Sequence, residues 1–360
     1  MPGSGEAHTI ARLMGRRQAV VIVVAVAALA LAAVPIVLAL AAPADLGGLA
    51  PRGEATKSGR AINELYWFVF GMCAVVFVLV ESALVLFALR FRRRETTPMD
   101  AEGPQIHGNT RLEIIWTLIP AVLLAVIAIV VVIRVPVVHA SGEADDPDEL
   151  AIRVEGHQFY WRYVYPGGEI AIDTLVLPVG RPVTLELTSF DVNHSWWVPE
   201  LTGKQDAIAG QQNLLRFEPE TEGTYTGACA EFCGILHAVM PTTVEVVSQA
   251  EFERRVQALS GQDAAGDAQL ALGQASWEGA CAKCHGLEGE GDVGPPIARN
   301  PTLVDEEQLT EILTGGQNTP DIQGYMPPVG RGWPEFQVQA LIEYVRSNEA
   351  LVAEGQGDNR

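Results

Sequence analysis

The apolar residues of this 360-residue chain are concentrated before residue 136, and most of the acidic residues follow that point. Three long apolar segments lie in the first part. One falls within residues 1–42 behind several arginines, which predicts either a signal peptide or an uncleaved membrane anchor. The other two, at about 65–89 and 114–133, are each long enough to cross a bilayer. We therefore predict a transmembrane α-hairpin over residues 60–135.

The basic residues set the orientation of this hairpin. The run "RFRRR" at 90–94 separates the two predicted spans, and arginine-rich loops remain in the cytoplasm. Residues 136–360 are therefore expected on the extracytoplasmic side of a multi-pass membrane protein. Glu81 lies within a span, where an ionisable group indicates a proton route, a partner contact or a neutral carboxyl packed against a neighbouring helix.

The expected extracytoplasmic part divides into three segments that differ in composition and in the pattern of their apolar residues. Residues 150–247 alternate between short apolar runs and Gly/Pro turns, which predicts an all-β sandwich or barrel. Residues 248–265 indicate a helix followed by a linker. Residues 266–349 hold short helical patterns and predict a small all-α domain. A formal net charge of −20 at pH 7 argues against nucleic-acid binding and favours a basic partner or simple solubility.

Candidate metal ligands cluster in "CAEFCGILHAVM", residues 229–240. Outside the cytoplasm, Cys229 and Cys233 would by default form a disulfide. However, His237 and Met240 follow at short spacing, and Cys, His and Met together favour copper over zinc. A second thiolate indicates two metal ions that share the sulfurs, and such a pair needs a second histidine. His194 in "SFDVNHSWWVPEL" is the candidate, with an ordinary packed histidine as the alternative.

The stretches "DVNHSWWVP" and "GACAEFCGILHAVM" resemble the CuA-binding pattern of cytochrome c oxidase subunit II, which has a cupredoxin fold. The resemblance implies a dinuclear copper centre with the following ligands: His194, Cys229, Cys233, His237, Met240 and the backbone carbonyl of Glu231. It also implies that the Glu231 side chain binds a magnesium ion shared with subunit I, and a hard cation suits that carboxylate.

The resemblance extends into the membrane. "LEIIWTLIP" is similar to the start of the family's second transmembrane helix, where the glutamate, here Glu113, lies near a proton path into subunit I. A solvated glutamate at a helix start is the alternative. The chain departs from the family at Phe159, where many members carry a tryptophan that receives electrons from cytochrome c. Tyr160 or Trp161 is the candidate substitute. Ala209 and Gln211 replace the usual proline and arginine.

A second cofactor site is predicted by "CAKCH", residues 281–285. In an exported chain this motif attaches haem through thioethers at Cys281 and Cys284, with His285 as the proximal iron ligand. A disulfide or half of a zinc site is the alternative. Met326 is the candidate for the second axial position. "GPPI" resembles the loop of class I cytochromes c that orients the proximal histidine through a proline carbonyl, which implies this role for Pro295.

Together these features resemble subunit II of a bacterial haem–copper oxidase with a fused C-terminal cytochrome c domain, the caa type. The resemblance implies an inner-membrane electron-transfer subunit of cytochrome c oxidase, with subunits I and III as partners and cytochrome c or a membrane carrier as donor. Oxygen reduction and proton translocation would belong to subunit I, so no catalytic residue is expected in this chain. The alternatives are the CuA subunit of a related nitric oxide reductase and a stand-alone membrane-anchored electron carrier. A tethered haem domain would explain the loss of tryptophan at Phe159, since its effective concentration is set by the linker.

Overall fold

The computed structural model describes residues 55–91, 105, 107–139, 148–263, 265–319 and 324–352. The predicted signal peptide or anchor at 1–42 and Arg92–Arg94 of the arginine run lie outside these residues. The chain divides into two units, and the division falls at residues 62–63 and 135–136.

The described part of the first unit lies mainly in two long apolar helices, α1 Lys57–Phe91 from residue 63 onward and α2 Thr110–His139 up to residue 135. Both are long and apolar enough to cross a membrane. Arg134 near the end of α2 forms an ion pair with Glu64 near the start of α1, at 3.0 Å between Nη1 and Oε2. This contact brings the outer ends of the two helices together, as in the predicted hairpin.

The second unit begins with the first turn of α1, residues 57–62, which is fixed to the β domain. Arg60 pairs with Glu220 at 2.6 Å, and the Glu220 amide donates to the Ala55 carbonyl at 2.8 Å. Thr56 is fully buried, and its hydroxyl donates to the Leu201 carbonyl. The chain therefore enters this domain through a tightly held segment.

Two five-stranded sheets form a sandwich, which is one of the two predicted arrangements. The strands are β1 Leu150–His157, β2 Tyr160–Val164, β3 Ile170–Ile172, β4 Thr174–Pro178, β5 Val183–Ser189, β6 His194–Trp197, β7 Gln205–Ala207, β8 Asn213–Phe217, β9 Gly223–Cys229 and β10 Pro241–Val247. The sheet orders are β3-β2-β1-β5-β8 and β4-β10-β9-β6-β7. Alternating side chains from both sheets fill the core, with Ile152, Val154, Leu185, Leu187 and Trp196 fully buried.

The segment predicted as a helix followed by a linker, residues 248–265, packs against the β domain over its described part. Helix α3, Gln249–Leu259, is capped by Ser248, whose hydroxyl accepts from the Glu251 amide at 3.3 Å, and it buries Phe252 in the sandwich core. Gln262 then pairs with edge strand β3: its carbonyl accepts from the Ile170 N–H at 2.8 Å, and its amide donates to the Ile170 C=O at 2.9 Å. The described part of this segment is therefore attached to the β domain.

The C-terminal domain is mainly helical. It contains α4 Asp267–Ser276, a π turn Trp277–Cys281, α5 Ala282–His285, a 3₁₀ turn Pro301–Val304, α6 Glu306–Gly315, α7 Glu335–Ser347 and α8 Glu349–Val352. Helices α4 and α7 cross closely, since a Cβ at Gly273 would lie 2.0 Å from the Ala340 carbonyl oxygen. The all-α prediction missed a short antiparallel ribbon, β11 Gln317–Thr319 with β12 Gly324–Met326.

Candidate metal centre and haem attachment site

The sandwich gathers the predicted copper ligands at one end. His194 begins β6 and Cys229 ends β9, and these strands are antiparallel neighbours in one sheet. Cys233 and His237 lie on the loop after β9, and Met240 immediately precedes β10. The pairing of β9 with β10 closes this loop, because the Cys229 amide donates to the Met240 carbonyl at 3.0 Å.

The ligand atoms converge within contact distance of one another. The two cysteine Sγ atoms are 3.9 Å apart, and both cysteines are free thiols. Cys229 Sγ lies 3.9 Å from His194 Nδ1. Cys233 Sγ lies 3.6 Å from His237 Nδ1 and 3.8 Å from Met240 Sδ. A disulfide needs sulfurs about 2.05 Å apart, so the default alternative for the two cysteines is not the arrangement seen.

These residues fit a soft metal. Two sulfurs 3.9 Å apart can both contact one ion at a metal–thiolate distance of about 2.3 Å. The Glu231 carbonyl oxygen, 3.2 Å from Cys229 Sγ, adds the predicted backbone donor. The thioether of Met240 is fully buried and lies beside thiol and imidazole donors, a set that favours copper.

Asp191 holds His194 in place and was missed by the sequence analysis. Its Oδ1 lies 2.8 Å from His194 Nε2, which leaves Nδ1 on the side of Cys229. Its Oδ2 accepts from the Gln158 amide at 2.6 Å. The only sequence signal was an aspartate three residues before a candidate ligand, a pattern also typical of turns.

The two sulfurs and the imidazole of the site shift one another's pKa values. Burial alone would lower the pKa of His194, but its bond to Asp191 and its contact with Cys229 raise the pKa above its ordinary value. The Cys233 thiol and then His194 lower the pKa of Cys229, while the neighbouring Cys229 sulfur raises the pKa of Cys233. In the metal-free pair one proton is therefore shared between the two sulfurs, and a bound cation would replace it.

Close packing excludes water from one side of the centre. A Cβ at Gly156 would lie 2.8 Å from His194 Cδ2, so β1 approaches the imidazole as only glycine allows. The fully buried Trp161 stands edge-on to the same imidazole, with ring centroids 5.8 Å apart. Phe232, whose ring centroid lies 5.7 Å from that of His237, and Ile235 are exposed, at 76% and 78%.

The haem motif occupies the π turn and the short helix α5. Cys281 and His285 are buried, and Cys284 is half-buried. His285 Nδ1 lies 2.7 Å from the Pro295 carbonyl oxygen, the contact that the resemblance implies for a proximal histidine. A Cβ at Gly294 would lie 2.8 Å from His285 Cε1, so this loop lies directly against the imidazole. The free thiols and an imidazole held through one nitrogen fit a covalent haem.

The other predicted site residues have less defined surroundings. Met326 ends β12 and packs, partly buried, against the apolar cluster that contains Cys281. The side chain of Glu231 is exposed. Glu113 is exposed and caps α2: its carboxylate accepts from the Asn109 amide at 3.0 Å, while the Asn109 side chain accepts from the Leu112 amide at 3.3 Å. This reciprocal cap is the structural role weighed above for Glu113.

The comparisons with known proteins agree with the predicted organisation. Residues 49–132 match the family described as cytochrome c oxidase subunit II, transmembrane domain, and residues 169–247 match the family described as its periplasmic domain. Residues 268–345 match cytochrome c oxidase, cbb3-type, subunit III. These matches confirm a membrane hairpin, an extracytoplasmic cupredoxin-like domain and a C-terminal cytochrome c region.

Curated relatives cover most of the chain. Cytochrome c oxidase subunit 2 of Alkalihalophilus pseudofirmus is 32% identical over 312 residues, which are 79% of this chain and 88% of that protein. The protein of the same name from Cereibacter sphaeroides is 31% identical over 244 residues, 56% of this chain and 77% of that protein. The crystallised periplasmic domain of subunit II of cytochrome oxidase (CoxB) from Bradyrhizobium japonicum is 32% identical and covers 32% of this chain and 94% of that one, with a TM-score of 0.30. The family matches and the relative from Alkalihalophilus pseudofirmus lead to one conclusion: the chain belongs to the cytochrome c oxidase subunit II family.

Proposed function

We propose that this chain is the electron-transfer subunit of a haem–copper terminal oxidase. Cys281, Cys284 and His285 would bind the haem c at which electrons enter. The copper ligands would hold the dinuclear centre that relays them to haem in subunit I, where O₂ would be reduced to water with proton translocation. The observation that carries this proposal is the convergence of two thiols, two imidazoles and a thioether in a unit that also contains the CAKCH motif.

The residues of this chain would prepare the two sites. His194, Cys229, Cys233, His237, Met240 and the Glu231 carbonyl would hold copper, and His285 with Met326 would hold the haem iron. When bound, both groups supply reversible one-electron chemistry. Asp191 and Pro295 fix the outward nitrogens of His194 and His285, so each imidazole keeps its orientation during a change of charge.

The finer assignments follow from family membership. We propose that the exposed carboxylate of Glu231 binds magnesium at the interface with subunit I, and that Glu113 lies at a proton-path entrance of that subunit. Subunit III and a cytochrome c or membrane-bound donor complete the expected partners. Exposed apolar residues on the loop between β9 and β10, such as Phe232 and Ile235, are consistent with a surface that a partner subunit covers.

Metal and haem analysis of the purified full-length chain tests this proposal, together with copper EPR of the oxidised form. Two coppers and one covalent haem per chain, with an unpaired spin shared equally by both coppers, are expected. Cys233→Ser should abolish the shared-spin signal and leave the covalent haem intact. One copper per chain, or none with a Cys229–Cys233 disulfide, would refute the dinuclear centre. Turnover of the purified complex with O₂ against NO then distinguishes an oxidase from a nitric oxide reductase.

A further inference from the structure

The haem domain, residues 266–349, packs against the copper domain, residues 150–247, through both apolar and polar contacts. We define the docking face as Tyr160, Arg162, Ile172 and Asp173, on or next to β2 and β3. Tyr160 is fully buried, and its ring belongs to the apolar cluster of the haem domain rather than to that of the sandwich. A residue of one domain that lies in the core of the other is typical of a permanent contact between domains.

Buried polar groups of the docking face bond to the loop before α7. The Tyr160 hydroxyl donates to the Val329 carbonyl at 2.6 Å and accepts from Trp333 Nε1 at 2.7 Å. Arg162, 2% exposed, donates from Nη1 to the Gly332 carbonyl at 3.0 Å. Separating the domains would break these three hydrogen bonds, and water would have to replace them.

The haem motif itself makes the most direct contact. Lys283, between the two haem-attaching cysteines, places Nζ 2.5 Å from Asp173 Oδ2 and 3.0 Å from the Phe159 carbonyl oxygen. The side chains of Lys283 and Asp173 are only 18% and 23% exposed. One turn earlier, a Cβ at Gly279 would lie 2.3 Å from Ile172 Cγ2, so the π turn lies directly on β3.

Asp173 connects this contact to Trp161, which lies against the candidate copper ligand His194. Its Oδ1 accepts from the Trp161 amide at 2.8 Å, and its own amide donates to the Trp161 carbonyl at 2.8 Å. Its φ of 56° lies in the left-handed region, which Asp and Asn tolerate better than other side chains. Trp161 stands edge-on to His194, so an unbroken series of contacts runs from Lys283 through Asp173 and Trp161 to a copper ligand.

We propose that Lys283 and Asp173 form a latch that fixes the haem motif on the copper domain beside Trp161. The haem domain then delivers electrons from one docked position instead of swinging on a linker. The attachment of Gln262 to β3 agrees, because it holds the connecting segment to the same sheet. The part of this inference that concerns electron transfer rests on the function proposed above. The transfer moves one electron from haem to copper and makes or breaks no bond.

The latch can be tested in the full-length chain by hydrogen exchange and by flash-induced electron transfer. Asp173→Asn keeps the size, the left-handed backbone and an acceptor for the Trp161 amide, and it removes only the charge that faces Lys283. Lys283→Glu turns the pair into a repulsion. Arg254→Glu is the matched control, since it makes the same charge change at an ion pair with Glu251 on the exposed face of α3.

The expected result is faster amide exchange in peptides 158–173 and 277–285, by about tenfold in Asp173→Asn and more in Lys283→Glu. Haem-to-copper transfer should slow in the same order and become salt-dependent, whereas Arg254→Glu should resemble the wild type in both assays. The double variant Asp173→Asn/Lys283→Glu should be less affected than Lys283→Glu alone, because the repulsion needs both charges. If Lys283→Glu lowers haem incorporation, the comparison of Asp173→Asn with the wild type still tests the latch.

Two outcomes would overturn the latch. One is unchanged exchange of these peptides in both single variants. The other is faster exchange with an unaltered transfer rate. Failure of the proposed function is separately visible, since a wild-type chain with both cofactors would then show no haem-to-copper transfer while its exchange pattern could still reveal the latch.

Discussion

Removing the Asp191 carboxylate should weaken copper binding although Asp191 is not itself a ligand. The carboxylate is 4% exposed, and its Oδ1 lies 2.8 Å from His194 Nε2. Without it, the imidazole loses the partner that fixes its orientation and increases its basicity. Loss of such a partner typically costs 10- to 100-fold in metal affinity, or about 1.4–2.7 kcal/mol.

Two substitutions separate the contributions of the carboxylate. Asp191→Ala removes the partner of His194 and leaves the Gln158 amide unpaired, so we expect the full loss of affinity and a stability cost of about 1–3 kcal/mol. Asp191→Asn keeps one acceptor but loses the charge, so its copper affinity should fall between those of Asp191→Ala and the wild type. Copper affinity is measured by titration of the full-length chain against a competing chelator.

A control variant tests whether any lost carboxylate would have the same effect. Asp305 caps α6 by accepting from the Gln308 amide at 3.0 Å, at the start of a helix of the haem domain. Asp305→Asn should leave copper affinity unchanged. If Asp191→Ala bound copper within twofold of the wild type while remaining folded, the orienting role assigned to Asp191 would be refuted.

Three further predictions concern the haem domain and its contact. Tyr160→Phe should destabilise the chain by about 2–4 kcal/mol in calorimetry, because Trp333 and Val329 would each keep a buried unpaired group. Burial lowers the pKa of His157, so the unfolded state binds the proton more readily, and stability should fall as pH drops below about 6.5. The slope should reach about 1.4 kcal/mol per pH unit, and His157→Phe, which keeps an aromatic ring there, should flatten that part of the profile. Met326→His should lower the haem reduction potential in a redox titration, whereas a potential equal to that of the wild type would argue against Met326 as the axial ligand.

The sequence predicted the local parts of both sites and missed the parts that depend on pairing at long range. Cys229, Cys233, His237 and Met240 lie within one loop, so their spacing alone indicates a metal site. His194 joins them only because β6 pairs with β9, which spacing cannot show. The need for a second histidine made His194 a candidate, and the family resemblance then implied it as a ligand.

The contacts between the domains were beyond the reach of motif analysis. The CAKCH pattern leaves Lys283 unspecified, and its partner Asp173 lies 110 residues earlier. Gln262 was likewise part of a segment whose composition is typical of linkers. Its two hydrogen bonds to Ile170 satisfy an edge strand that would otherwise expose its backbone, and composition carries no information about that pairing.

The proposed docking of the haem domain gives a reason for the phenylalanine at position 159. In the family that the sequence resembles, many members hold at this position a tryptophan that receives electrons from a separate cytochrome c. Here Phe159 is 4% exposed, a Cβ at Gly234 in the loop after β9 would lie 2.9 Å from its ring, and the Phe159 carbonyl accepts from Lys283. A donor that approaches from solution would find this residue covered, whereas the haem motif already contacts its backbone. Trp161 lies against the candidate ligand His194, as Phe232 does against His237, and of these two aromatic residues Trp161 is the one reached from the haem motif through Asp173. If the haem domain is the donor and is fixed as proposed, position 159 would need only an apolar residue that packs against the loop after β9, and not an exposed ring that recruits a partner.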